Sequence, residues 1–138
     1  MNPILKNILA VVVGIIAGSA VNMLLVNLNG SLIALPEGAD LSDMTKLKES
    51  MKLFQPIHFI FPFLGHAIGT LVGAFLTSKI ATTNNFRLAM VIGIWFLIGG
   101  ITMVYMVGGP LWFQATDVLF AYIPMAWIGA KLAGANIN

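Results

Sequence analysis

Three stretches of the chain carry no Lys, Arg, Asp or Glu: positions 7–36, 53–78 and 88–116, of 30, 26 and 29 residues. About 20 apolar residues suffice for a helix to cross the hydrocarbon of a bilayer, so each stretch is long enough for a crossing. The first predicts a helix over 4–27, opened by Asn2-Pro3 as N-cap and first-turn proline and broken by Asn27, Asn29 and Gly30. The second predicts a helix over 56–80, and the third a helix over 86–107 that stops at Gly108-Gly109-Pro110. The polar turn Thr82-Thr83-Asn84-Asn85 supplies several possible N-caps and makes the second and third helices antiparallel neighbours. A fourth crossing over 111–132 has to begin near Leu111 and carry Asp117 with it, because Asp117 and Lys131 leave only 13 uncharged residues between them. A tilted or re-entrant C-terminal segment is the alternative there.

Between the first two helices the pattern changes. Leu41, Met44, Leu47, Met51 and Phe54 recur at three- and four-residue steps among seven of the chain's 12 charges. That spacing predicts an amphipathic helix over 40–54, capped by Asp40 or Ser42, with Asp43 in its first turn and Lys52 near its end, where the helix dipole favours those signs. Such a helix lies on the membrane surface and packs over the helix ends, or acts as a lid or docking site. The fold class expected is all-α: one transmembrane domain over 1–138, a four-transmembrane-helix bundle with an amphipathic surface helix in its first loop. Lys6, the apolar stretch after it and Ala17-Gly18-Ser19-Ala20 also fit a signal peptide, but apolar residues continue to Val26 and favour a retained helix.

Composition strengthens this picture. Of 138 residues 59% are apolar and 9% charged, against roughly a quarter charged in a soluble domain. The pI near 9.2 rests on a net charge of +2 with no Lys/Arg run, so nucleic acid is not an expected partner. Zero cysteines exclude disulfides, thiolate nucleophiles and zinc-thiolate or iron-sulfur sites. Lys6, Lys79, Arg87 and Lys131 fall on one side of the four-crossing layout and Lys46, Lys48 and Lys52 on the other, all three in the loop. The expected topology is therefore multi-pass, with both termini cytoplasmic. Tyr105 and Trp112 belong to the outer aromatic belt and Trp127 to the inner one.

Two small-residue stripes step by four: Ala10, Gly14, Gly18, Asn22 on the first helix and Gly65, Gly69, Gly73, Thr77 on the second. Such stripes let backbones approach closely, either within one chain or at the seam of a homo-oligomer or a membrane-protein partner. Beside the second stripe lie His58, Pro62, His66 and Thr70. A neutral imidazole at His66 needs a hydrogen-bond partner, and Asn22, Thr102 and Asp117 are the candidates. Asp117 is a first-turn acid wetted by headgroups if the last helix begins at Thr116, or a proton or cation site if it begins at Pro110. The candidate polar path is thus Asn22, His58, His66, Thr70 and Asp117. His58 and His66 are about 12 Å apart along a helix, too far for one metal, so no metal and no cofactor is expected. Pro124 kinks the last helix near Tyr122 and Trp127. An old duplication is conceivable, since Leu9-Ala10-Val11-Val12-Val13-Gly14-Ile15 matches Leu88-Ala89-Met90-Val91-Ile92-Gly93-Ile94.

With Pro36-Glu37-Gly38, the Leu47-Lys48-Glu49-Ser50-Met51 segment and Gly65-His66-Ala67-Ile68-Gly69-Thr70-Leu71-Val72-Gly73-Ala74, the whole chain resembles small uncharacterised four-helix integral membrane proteins of bacteria. The resemblance brings no activity with it. The chain departs from small multidrug exporters in having no Glu in its first helix, and from quinone-linked thiol oxidoreductases in having no Cys. On the residues alone the leading expectation is a non-enzymatic accessory or assembly module whose glycine faces and surface helix dock onto itself or a partner. The alternative is a small proton- or ion-linked transporter or channel with a polar path around His66. An enzyme ranks last, because no Ser/His/Asp set, paired carboxylates or metal-ligand spacing is visible.

Overall fold

A computed structural model describes residues 1–137. The fold is all-helical, with 78% of residues in helix and no strand among the described residues. Its elements are α1 (Pro3–Leu32), α2 (Met44–Ser50), a 3₁₀ turn (Met51–Leu53), a second 3₁₀ turn (Pro56–Phe59), α3 (Ile60–Ile80), α4 (Asn85–Met106), α5 (Leu111–Phe120) and α6 (Ile123–Leu132).

Three of these helical stretches, not four, are long and apolar enough to cross a membrane: Pro3–Leu32, Pro56–Ile80 and Asn85–Met106. The continuous fourth helix expected over 111–132 is replaced by two ten-residue helices. The cause is local. Pro124 has no N–H, and its ring clashes with the carbonyl four residues earlier, so helix cannot continue through Phe120 and the chain breaks at Ala121 and Tyr122.

Helix α3 is the centre of the bundle. It packs antiparallel to α1 with a fixed register: a Cβ built on Gly14 would lie 2.7 Å from the Gly73 carbonyl oxygen, one on Gly18 would lie 2.7 Å from that of Gly69, and the reverse substitutions meet the same carbonyls at the same distance. Real Cβ contacts are essentially never that short, so the backbones meet where only hydrogen fits. Asn22 closes the series against Gly65, and Thr77 donates from its Oγ1 to the Ala10 carbonyl at 3.1 Å. The glycine stripes therefore face each other within one chain. Helix α4 lies antiparallel to α6, with Gly93 against Ala126 and Gly100 against Tyr122. Gly14 and Gly93, which are matched in the suspected duplication, each sit against the second helix of their own half. Between the four helices Ala74, Ala89, Ile92, Ala126 and Ala130 are wholly buried. The outer face of α1 is uncovered: Ile8, Ile16, Met23 and Leu24 are more than half exposed. A helix apolar all round with only one stripe covered needs an apolar surrounding.

The turn between α3 and α4 is tied by Asn7, whose Oδ1 accepts from the Thr82 amide and hydroxyl while its Nδ2 donates to Thr83 Oγ1. The loop helix is shorter than the 40–54 expected, and its cap differs. Asp43 is the N-cap, its carboxylate accepting from the Lys46 amide at 2.9 Å, whereas Asp40 and Ser42 cap nothing on the helix. Asp40 instead pins the approach to α2: its carboxylate accepts from the Ser42 amide and meets Lys46 Nζ at 3.0 Å. The Ser42 side chain foremost, then its amide and Lys46, hold this exposed carboxyl at about 2 rather than 3.8.

Candidate functional site

Helices α3 and α5 and the break after α5 bring one polar cluster together inside the bundle. His66 stands two turns into α3, Asp117 on α5, and Tyr122 at the break between α5 and α6. His66 Nδ1 lies 2.8 Å from Asp117 Oδ1, and the Tyr122 hydroxyl donates to Asp117 Oδ2 at 2.7 Å. The His66 and Tyr122 rings stack with centroids 5.8 Å apart and 27° between planes. Asp117 is 3% exposed and Tyr122 2%. Of the three partners considered for His66, Asp117 is the one it takes. Asp117 lies within a helix starting at Leu111, buried against His66, and not at a wetted helix start.

Tyr122 was not foreseen from the sequence. Residues three or four apart share a helix face, but a residue five on is turned to another. Only the break enforced by Pro124 folds the Tyr122 ring back over Asp117. Gly100 on α4 makes the room, since any Cβ there would collide with the Tyr122 hydroxyl. The sequence signals were Pro124 and Gly100, and neither points to a tyrosine.

The carboxylate organises the imidazole. The contact with Asp117 fixes the ring orientation, with Nδ1 toward the carboxyl group and Nε2 away from it. Nε2 has no hydrogen-bond partner among the described residues.

His66 also borders two cavities. One, of about 190 Å³, lies under the loop: Leu47, Met51 and Phe54 roof it, while His66, Asp117 and Gln114 line its polar side. The other, of about 350 Å³, is bordered by Asn22, Thr70, Thr102 and Tyr122. Pro62 and His66 mark the first on α3, His66 and Thr70 the second, so the second lies one turn, about 6 Å, further along the bundle. Beyond it the wholly buried alanines and Ile92 close the path toward the Asn84 end. Two acceptors beside these cavities are buried without a partner, Asn22 Oδ1 and Asn29 Oδ1. Thr70 and Thr102 donate to carbonyls of their own helices, those of His66 and Ile98.

His58 does not belong to this cluster. Its Nδ1 accepts from the Gln55 amide at 2.9 Å, its Nε2 reaches the Ala34 carbonyl at 3.0 Å, and its own carbonyl accepts from Asn29 Nδ2. This is a loop clasp that joins the end of α1 to the start of α3. His58→Ala should open the loop, and limited trypsin digestion at Lys46, Lys48 and Lys52 should accelerate about tenfold, the loss of roughly 1.5 kcal/mol of hydrogen bonding. An unchanged digestion rate would show that the clasp does not hold the loop.

No group of three metal-ligating side chains occurs among the described residues. No protein-family model, curated protein or solved structure matches the chain.

Proposed function

We propose that the protein is a small proton-linked membrane transporter or channel that moves protons on its own, with His66 taking up and releasing the proton. The observation that carries this reading is the Asp117-oriented His66, placed where two cavities meet. In this reading α5 and α6 together make the fourth crossing, which is tolerable because their broken backbone faces α3 and α4 and not lipid. The bundle then stands open toward the loop side as far as His66 and Thr70 and closed beyond by Ala74, Ile92 and Ala126. Proton-linked transport follows if the closed side opens when His66 changes charge. The membrane is the bacterial inner membrane with both termini cytoplasmic, so the loop and its cavity face outward.

The accessory-module reading relied on glycine faces free to dock. Those faces are spent within the chain, Gly14 and Gly18 against Gly73 and Gly69, so docking in that reading falls to the surface helix and the outer face of α1. No enzymatic role is proposed.

The absence of cysteine makes access directly measurable. Thiols react with maleimides as thiolates, so a thiol facing hydrocarbon stays unlabelled. Met51→Cys samples the loop cavity, and Gly99→Cys, where nothing lies within 4 Å, samples the second. In liposomes a water-soluble maleimide applied from the loop side should label both, Gly99→Cys about tenfold more slowly. If Gly99→Cys resists labelling from either side, no water path reaches past His66 and the reading fails.

A further inference from the structure

The cavity beneath the loop is apolar over most of its surface, which a path for protons alone does not require. Phe54 on the loop, Phe59 just before α3 and Phe113 on α5 stand around it. Their rings already pack on one another: Phe54 and Phe59 meet edge to face at 5.7 Å between centroids, and Phe59 and Phe113 lie tilted at 4.6 Å. Aromatic rings join such clusters edge-on or offset and gain more than their buried area alone supplies, so these walls favour a further ring over an aliphatic chain. Leu47 and Met51 close the roof, and the unbranched methionine side chain adapts to the shape beneath it.

One corner is polar, and it is short of partners. Gln114 Nε2 donates to the Gly109 carbonyl at 2.7 Å, which aims the amide and leaves Oε1 as an acceptor with no partner among the described residues. His66 Nε2 is likewise unpartnered there. Both atoms are accessible, whereas Asn29, which also borders the cavity, has its Oδ1 closed off and its Nδ2 bonded to the His58 carbonyl. Asp117 offers nothing further, since its two oxygens are taken by His66 and Tyr122. A carbonyl or carboxylate brings no donor to the Gln114 oxygen. A hydroxyl suits either atom in either proton arrangement: it donates to Oε1 or to a bare Nε2, and it accepts from a protonated Nε2. The size fits one ring. The cavity measures about 190 Å³, and an apolar cavity of roughly 150 Å³ takes benzene, so a substituted single ring is accommodated and a fused pair of rings is not.

We propose that the loop cavity binds a single-ring phenol, its ring against Phe54, Phe59 and Phe113 and its hydroxyl at the corner formed by Gln114 and His66. Phenolic hydroxyls ionise at about pH 10, as in tyrosine, so the ligand enters neutral and no charge is buried with it. This inference goes beyond the proton-linked reading and does not rest on it, because occupancy of the cavity requires no movement of protons.

The test is a fluorine NMR titration of the full chain in phosphatidylcholine nanodiscs with para-fluorophenol and, separately, fluorobenzene. Nanodiscs without protein correct for partition into lipid. Wild type should bind para-fluorophenol saturably at one site per chain. Leu47→Trp lies on the surface helix, outside the bundle, and places its bulk in the roof of the cavity, so it should weaken both probes at least about tenfold. Gln114→Met keeps the side-chain volume and removes the acceptor. It should weaken para-fluorophenol about tenfold, the scale of one hydrogen bond left unmade in an apolar site, and leave fluorobenzene, which has no hydroxyl, unchanged. A merely structural role for Gln114 would weaken both probes alike. The proposal is overturned if wild type shows no saturable binding beyond that of empty nanodiscs, if Leu47→Trp binds para-fluorophenol as wild type does, or if Gln114→Met fails to separate the two probes. The titration uses no pH gradient, so its failure leaves the proton-linked reading standing, and a failed proton-flux measurement leaves this site standing.

Discussion

Gly73→Leu should abolish the folded bundle. The Cβ alone would lie 2.7 Å from the Gly14 carbonyl oxygen and 3.1 Å from Ile92 Cγ2, and the remaining side-chain atoms would enter the same contact. Neither neighbour yields cheaply, because one is backbone and the other belongs to a wholly buried residue. Overpacking a well-filled interior costs about 1–3 kcal/mol when side chains can shift, and forcing two helix backbones apart puts this case at or beyond the top of that range. The same separation breaks the Thr77 to Ala10 hydrogen bond. Gly99→Leu and Gly30→Leu have open space at the Cβ and should leave the fold intact. Thermal unfolding in detergent with size-exclusion chromatography separates these outcomes: Gly73→Leu should elute as aggregate or melt far below wild type, and the other two should match it. A Gly73→Leu protein with wild-type melting would mean that α1 and α3 do not meet at their glycines.

Asp117→Asn should suppress proton exchange at His66 without unfolding the protein. Asparagine is isosteric and can still accept from Tyr122, but it removes the carboxylate that His66 Nδ1 contacts. A hydrogen bond to a charged group contributes about 1.5–3 kcal/mol, which corresponds to a ten- to hundredfold fall in proton uptake. Tyr122→Phe removes one neutral donor and should cost less, about three- to tenfold, because His66 keeps its carboxylate. Proton uptake into liposomes under an imposed potential should rank wild type, Tyr122→Phe and Asp117→Asn in descending order. Equal rates for Asp117→Asn and wild type would show that the carboxylate does not act on His66.

Much of this molecule is legible from where charges are absent. The charge-free windows locate α1, α3 and α4, and the four-residue glycine steps mark the faces on which α1 and α3 meet, but α1 continues through Asn27, Asn29 and Gly30 to Leu32 because none of the three breaks an already formed helix. His66 and Asp117 stood out because each is a lone ionisable group in an apolar setting, where hydrocarbon leaves few alternatives to pairing. Other features depend on contacts that periodicity does not encode. Asp117 and Pro124 within one short segment are compatible with a kinked helix as well as a broken one, and only the break brings Tyr122 back to Asp117. His58 shares a helical face with His66 on paper, yet a 3₁₀ turn precedes α3, and the imidazole is taken up by Gln55 and Ala34 where the loop closes. At α2, three residues able to cap a helix fall within four positions, and Asp43 takes the cap because Asp40 is engaged by Ser42 and Lys46. The uncapped start of α4 follows from Asn85 serving the end of α3, a choice invisible in the run of four polar residues.

The claim on which the functional account turns is that a single imidazole passes protons through this bundle. Purified protein in liposomes carrying an internal pH dye, driven by a potassium diffusion potential, measures it directly. Wild type should acidify the lumen well above protein-free vesicles, and His66→Ala, inserted to the same level and equally stable, should fall to the protein-free rate. Equal rates for His66→Ala and wild type would contradict the account.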